Sequence, residues 1–273
     1  MVLKNLDKLA NQIRQDIIQE LEAAGSGHPG GSLSIVEILT ALYFGGILNF
    51  DAQNTDDPER DRFILSKAHC CPALYSVFHR LGLIKETELL TLRKLGSRLQ
   101  GHPDRLKLPF IETSGGSLGQ GLSIACGMAL SAKMDNSKYR TYVLMSDGEQ
   151  EEGQTWEAVM TAAHYDLDNL TGIIDLNGLQ IDGSTEHVKS LENMRSRYES
   201  FGWHVIENDG HNIQSLINAF HEAEHVHSKP TLILARTIKG KGVSFMENVA
   251  EWHGTAPKAE EAERALEELR AKI

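Results

Sequence analysis

Two apolar runs in the sequence stop at the same kind of residue pair. "TYVLM" (141–145) leads through Ser146 into Asp147-Gly148, and "TGIIDL" (171–176) leads into Asn177-Gly178. Between them, "EGQTWEAVMTAAH" carries helical spacing. Continuous apolar strands alternating with helices describe a parallel sheet buried on both faces, because each crossover lays a helix over the sheet. The alternation extends along most of the chain. The pattern predicts helices over 3–24, ending at Gly25, and over 34–45. A short strand follows in "DRFILSKAH", then a helix in "CPALYSVFHRLGL" and a Gly/Pro-punctuated loop over 98–121. It then predicts helix 119–133, strand 141–146, helix 153–164, strand 171–176, helix 190–200, strand 203–207, helix 212–227 and strand 231–236, closed by a charged helix in "PKAEEAERALEELRAKI". With no internal repeat and no linker composition, residues 1–273 are expected to form one α/β domain, a mainly parallel sheet with helices on both faces.

Composition narrows the function classes. A formal charge of −11 without a Lys/Arg-rich block argues against a nucleic-acid surface. Cys70, Cys71 and Cys126 have neither disulfide-framework nor zinc-site spacing, which points to a reducing compartment. The charged N-terminal segment has no signal-peptide core and no spanning stretch, so a soluble cytoplasmic protein without membrane contact is expected.

Three motifs offer chemistry that their context does not support. "GSGHPG" (25–30) matches a dinucleotide-binding fingerprint, but it follows a helix rather than a strand and contains Pro29. "HEAEH" (221–225) has zincin spacing. The apolar stripe of Ile213, Leu216, Ile217 and Phe220 leaves His221 and His225 on the flank or polar side of a crossover helix, and no downstream third ligand follows. "EEAERALEELR" is expected to be a solvated terminal helix rather than a partner-binding one.

In a parallel sheet ligands bind beyond the carboxyl ends of the strands, where Asp147 and Asn177 fall. A carboxylate, an amide oxygen and a backbone carbonyl from "NGLQ" make an all-oxygen set suited to Mg²⁺ or Ca²⁺ bridging phosphate. Taken singly, Asp147-Gly148 and Asn177-Gly178 are better read as turns, as Asp-Gly and Asn-Gly often are.

Taken together, the pair resembles the thiamine diphosphate motif, GDG followed after roughly 25–30 residues by NN, with Ser146 and Leu176 replacing the first Gly and first Asn. "GSGHPGG", "DRFILSKAH", "GHP" (101–103), "ETSGGSLGQGLSIACGMAL" (112–130), "FGWHVIENDGHN" and "EWHGTAP" resemble, in order, the N-terminal half of transketolase. That resemblance implies the thiamine-diphosphate-binding fold, with Asp147, Asn177 and the carbonyl of Leu179 as metal ligands. It places His69, Gly148, Lys67 and Lys239 by the diphosphate, Gly116 and Leu118 along the cofactor, and Ile181 near its thiazolium. His28, His102 and His253 correspond to histidines around the ketose hydroxyls and carbonyl, a role suited to imidazole near neutral pH. Glu152 and Glu157 resemble glutamates between two cofactors of a dimer, with a proton-relay role. Asp147 is expected in a surface loop whose replacement leaves the fold intact.

The resemblance also implies what lies elsewhere. In transketolases a glutamate on a second, pyrimidine-binding domain contacts the cofactor, and the phosphate-binding arginines of the ketose site belong to that other half. The chain is therefore expected to be the N-terminal subunit of a split transketolase, transferring a two-carbon ketol unit between sugar phosphates with a pyrimidine-domain partner, as a dimer of heterodimers. Leu118, Leu122, Ile124, Ala125, Met128 and Ala129 would offer a helix face for self-association. The alternatives are a split enzyme for a branched or sulfonated ketose and a non-catalytic paralogue. 1-Deoxyxylulose-5-phosphate synthase fits less well, because it is a longer chain without the "WHG" pattern.

Overall fold

The computed structural model describes residues 2–272. In chain order it contains α1 (Val2–Ala24), α2 (Pro29–Ser34), α3 (Val36–Phe44), β1 (Arg62–Leu65), α4 (Cys71–Arg80) and α5 (Glu86–Leu89). These are followed by α6 (Gln120–Asp135), β2 (Thr141–Ser146), α7 (Gly153–His164), β3 (Leu170–Leu176), β4 (Leu179–Gln180), β5 (Gly183–Ser184), α8 (Thr185–Lys189) and α9 (Met194–Ser200). The chain closes with β6 (His204–Asp209), α10 (Ile213–Glu224), β7 (Thr231–Arg236) and α11 (Ala259–Arg270). Five strands form one parallel sheet in the order β1-β2-β3-β7-β6, and β4 pairs with β5 in a small antiparallel hairpin beside it.

The period-two alternation of the strands divides the interior into two layers. Tyr142, Leu144, Ile173, Ile233 and Ala235 face α1, α3, α4, α10 and α11, whose Ile13, Ile17, Leu39, Phe220 and Leu266 complete one core. Val143, Met145, Ile174, Leu232 and Leu234 face α6, α7 and α9 through Leu122, Ala125, Val159 and Tyr198. Apolar runs with no polar face are what a doubly covered sheet requires, so β2, β3 and β7 follow directly from the sequence.

Local signals set several ends. α1 stops where Gly25, at φ 66, turns its amide back to the Leu21 carbonyl at 3.0 Å. α10 starts at Asn212, whose side chain accepts the Ser215 amide at 2.9 Å.

The structure corrects the sequence reading in several places. Half of the "GSGHPGG" loop is helical, with Pro29 opening α2, and Ile35 breaks the expected 34–45 helix so that α3 starts at Val36. α9 begins at Met194 rather than 190, and α5, α8 and the β4-β5 hairpin are unannounced by any apolar period. α11 is solvated on one face only: Ala262, Ala265, Leu266 and Leu269 are buried, and Asn11 Nδ2 donates to the Leu269 carbonyl at 3.0 Å. The end of that expected helix, residue 273, lies outside the described residues. Leu122, Ala125 and Ala129 of α6 are committed to the chain's own core and Met128 packs against it, which leaves Ile124 and Gly127 to the outer face, while Leu118 precedes the helix. Among the described residues no helix is long and apolar enough to cross a membrane, and the three cysteines are free and buried.

Gly121 marks the closest approach of α6 to the sheet, since a Cβ there would overlap the Ser66 side chain and lie 2.9 Å from its Cα. Gly121→Ala is therefore expected to cost about 1–3 kcal/mol, the scale of forced overpacking. The check is a lowered urea midpoint at unchanged slope, and an unaltered midpoint would show that α6 has room to shift.

Candidate functional site

Because every strand of the main sheet runs the same way, Ser66-Lys67, Ser146-Asp147, Leu176-Asn177 and Arg236-Thr237 emerge together at one edge. A cavity of about 280 Å³ opens there. Of the residues expected from the sequence, His28, Lys67, His69, Gly116, Leu118, Asp147, Gly148, Glu152, Asn177, Leu179, Ile181, Lys239 and His253 all line it. His102 stands just outside, its ring centroid 6.3 Å from that of His28. Glu157 does not reach the cavity; it is exposed further along α7. A second cavity, about 440 Å³, lies among α1, α5 and α11, away from these groups.

Asp147 is not in a surface loop. It is 1% exposed, accepts the Gly148 amide at 2.8 Å on Oδ1, and accepts the Gly178 amide at 2.6 Å on Oδ2. The αL conformation of Gly178, φ 74, aims that amide at it. Burial, with Asp175 beside it, pushes the Asp147 carboxyl up to about 6, although the Gly178 and Gly148 amides and the Lys67 charge act in the other direction. Asn177 Nδ2 donates to Asp175 at 2.8 Å, so its Oδ1 is the acceptor, and the Leu179 carbonyl faces the Lys239 ammonium at 3.1 Å. Carboxylate, amide and carbonyl oxygens in this arrangement fit a hard divalent cation. Among the described residues no group of three or more His, Cys, Asp or Glu could hold a metal, so the fit depends on the neutral oxygens.

Asp175, the one acidic residue inside the apolar run of β3, belongs to no motif of the sequence reading, yet it organises the site. It is fully buried and pairs with the Lys67 ammonium; Ser34 Oγ donates to it at 2.7 Å, as do Thr237 Oγ1 and Asn177 Nδ2. Burial would raise its carboxyl, but Lys67 holds it below the ordinary range. Burial alone would lower the Lys67 ammonium, and Asp175 more than offsets this. Glu149, also unpredicted, accepts from Ser66 Oγ, from the Gly119 amide at 2.7 Å and from the Ser146 amide at 3.2 Å, tying α6 to the ends of β1 and β2. The only sequence signal for either residue is a carboxylate where the pattern calls for a hydrophobe or a turn.

Four histidines crowd the mouth. Ring centroids are 5.1 Å apart for His28 and His69, 5.7 Å for His28 and His253, and 5.3 Å for the stacked His69 and His253. Burial, then the positive charge of Arg93, lowers His28 to about 4. Burial and Lys239 lower His253 to about 3. His69 and His102 are lowered for the same first reason. All four rings are therefore neutral at pH 7. Lys239 contacts His253 Nδ1 at 2.7 Å, and burial with Lys67 nearby lowers its ammonium to about 8. Among the described residues His28 Nδ1 is buried without a hydrogen-bond partner. Gly27, Gly30 and Gly31 of "GSGHPGG" serve close approach: a Cβ on Gly31 would lie 2.7 Å from Cys70 Sγ and 3.4 Å from Lys67 Nζ. The zincin-like pair fares as expected, with His221 on the surface beside Glu224 at 3.1 Å.

Residues 6–272 match the family described as transketolase, thiamine diphosphate binding domain. The chain is 44% identical over 273 residues to one of the subunits of apulose-4-phosphate transketolase from Phocaeicola vulgatus, covering 100% of this chain and 96% of that protein. It is 42% identical over 265 residues to 6-deoxy-6-sulfo-D-fructose transketolase subunit SqwG of Clostridium sp., covering 97% and 96% respectively. Against Homo sapiens transketolase it is 42% identical over 272 residues, 99% of this chain but 43% of that protein. The transketolase structure from Campylobacter jejuni superposes with a TM-score of 0.92 at 31% identity, over 99% of this chain and 43% of that one. The chain thus spans almost the length of the two subunits and under half of the single-chain enzymes.

Removing half of a buried ion pair leaves an uncompensated charge, which typically costs about 3–5 kcal/mol. Asp175→Asn is expected to destabilise the chain on that scale in denaturant melts. Lys67→Met/Asp175→Asn should recover part of the loss, since the stranded ammonium is then gone. A double variant no more stable than Asp175→Asn would assign the cost to Ser34, Thr237 and Asn177 instead.

Proposed function

The chain belongs to the transketolase thiamine diphosphate binding family, and on that premise we propose that it is the diphosphate-binding half of a ketol-transfer enzyme. The observation that carries this reading is the convergence, in one cavity, of an oxygen donor set, two ammonium groups and neutral histidines. On this reading residues 1–273 form one diphosphate-binding domain. Asp147, Asn177 Oδ1 and the Leu179 carbonyl would hold Mg²⁺ or Ca²⁺. Lys67, Lys239, His69 and the Gly148 segment would neutralise and hydrogen-bond the diphosphate, while Gly116, Leu118 and Ile181 would pack against the cofactor body. Ile181 is 70% exposed, as a residue awaiting such cover would be.

Bound thiamine diphosphate supplies the electron sink that cleavage of a ketose carbon–carbon bond requires. The chain's own contribution is to orient the sugar and to accept or return protons. His28, His102 and His253 suit the orienting part, because imidazoles kept neutral by burial can accept hydrogen bonds from sugar hydroxyls at pH 7. Glu152, exposed at the cavity, would serve a proton relay between two cofactors; Glu157, lying outside the cavity, would act only across an interface.

A separate pyrimidine-domain subunit would complete the enzyme, as a dimer of such heterodimers in the cytoplasm. Its substrates would be a ketose phosphate donor and an aldose phosphate acceptor. A second reading, a split enzyme for an unusual ketose, is favoured by one finding: the two proteins matched over nearly their full length are named for apulose-4-phosphate and for 6-deoxy-6-sulfo-D-fructose.

The chain by itself is expected to show no ketol transfer, and to gain it on addition of the pyrimidine-domain partner. Full activity without the partner would overturn the split-enzyme reading. Assaying the pair against ketose phosphates, a branched ketose phosphate and a sulfonated ketose separates the two substrate readings.

The histidines make a second expectation. Alanine variants of His28 and His102 in the assembled pair should bind thiamine diphosphate as the parent does, while turnover falls about 10²-fold, the lower end of the scale for one acid/base group. Calorimetric affinity falling in step with turnover would place them on the cofactor instead.

A further inference from the structure

Lys239 sits on an irregular segment, residues 237–243, and its ammonium must be held between the Leu179 carbonyl and His253. Backbone bonds from Gly240 to the Gly30 carbonyl and from Asn248 to the Lys239 carbonyl, each 2.9 Å, fix part of it. The flanks of Lys239 are secured by side chains from three other elements. The Ile238 amide donates to His211 Nε2 at 2.7 Å, and Arg14 Nε donates to the Lys241 carbonyl at 2.9 Å. Glu37 joins those two side chains: Arg14 Nη2 reaches its oxygens at 2.6 and 2.7 Å, and His211 Nδ1 lies 3.0 Å from Oε2.

The protonation of this chain of contacts is dictated by its ends. A backbone amide can only donate, so His211 Nε2 must accept, and Nδ1 must carry the proton it gives to Glu37. Arg14 and Glu37 are 6% and 8% exposed, and a buried charged pair of this kind holds one geometry rather than sampling many. Neither the cavity nor its lining includes any of the three residues.

We propose that Arg14, Glu37 and His211 are positioning residues, a buried clasp that grips the chain on both sides of Lys239 and sets its ammonium for an anionic phosphate ligand. The inference rests on the diphosphate reading of the cavity and adds the element that fixes one of its two lysines. His211, from "DGHN", lies on the turn between β6 and α10, so the clasp also couples the edge strand of the sheet to the site.

The test is made on the full chain with its partner. His211→Ala removes both bonds, whereas His211→Gln keeps an oxygen able to accept from the Ile238 amide. Loss of an outer partner of a binding group commonly costs 10–100-fold in affinity. His211→Ala is therefore expected to weaken thiamine diphosphate binding, measured calorimetrically with Mg²⁺, about tenfold or more. His211→Gln should restore most of it. Without cofactor, hydrogen–deuterium exchange in 237–243 should rise in His211→Ala and not in the strands of the core.

If His211→Ala proves too unstable to purify, Arg14→Lys provides the same readouts, since it keeps a charge near Glu37 while losing the Nε bond to Lys241. Unchanged affinity, or an affinity loss that glutamine does not relieve with exchange raised throughout, would overturn the clasp. A parent pair that binds no thiamine diphosphate would overturn the functional reading instead, and the cofactor-free exchange would still decide whether the clasp holds the segment.

Discussion

The carboxylate of Asp175 is the constraint around which this molecule is arranged. A charge with no solvent contact is tolerated only where a cation and hydrogen-bond donors satisfy it. Here the donors come from four separate segments: Ser34 from α2, Lys67 from the end of β1, Asn177 from the end of β3 and Thr237 from the end of β7. These segments meet only because the strands run parallel and finish at the same edge. The carboxylate therefore couples correct sheet assembly to the shape of the cavity.

The remaining charges follow from that arrangement. With Lys67 committed to Asp175, the Asp147 carboxylate stays buried with two amide donors, and burial with Asp175 beside it raises its acid. Lys239 is held near the Leu179 carbonyl, its proton loosened by burial and by Lys67. The cavity thus keeps a buried carboxylate on one side and a loosely held ammonium on the other. The same low-dielectric surroundings discharge the histidines, so the rings at the cavity mouth are neutral and not cations.

Much of this was legible in the sequence, and the reasons are physical. Buried parallel strands must be apolar throughout, so "TYVLM", "TGIIDL" and "TLILA" announced themselves, and the Asp-Gly and Asn-Gly pairs at their ends marked the site edge. Most of the candidate residues then converged on one cavity. Short elements escaped because a one-turn helix such as α8, with no buried residue, has no apolar period to read. Asp175 and Glu149 escaped for the opposite reason: their partners lie 108 and 83 residues away in sequence, in Lys67 and Ser66, and a local pattern carries no trace of such contacts. The same holds for α11, whose charge pattern suggested a solvated helix while its small residues at three- and four-residue spacing were packing on α1.

Stabilising these interior charges is expensive, and the chain does so at more than one place around the same edge. Asp175 with Lys67, Glu149 with Ser66 and two amides, and Glu37 with Arg14 and His211 are each buried carboxylates that fix loops the sheet alone would leave mobile. Apolar packing of equal volume would commonly be as stable or more so, so stability alone is a weak account of their presence. What an apolar cluster cannot do is hold a polar loop at a set distance from a phosphate or a sugar hydroxyl. Electrostatic catalysis depends on dipoles and charges that need not reorganise when the ligand arrives. A framework of buried carboxylates, Glu149 bonded to backbone amides and Asp175 and Glu37 to the side chains of neighbouring segments, supplies that rigidity where the strands end and regular hydrogen bonding stops.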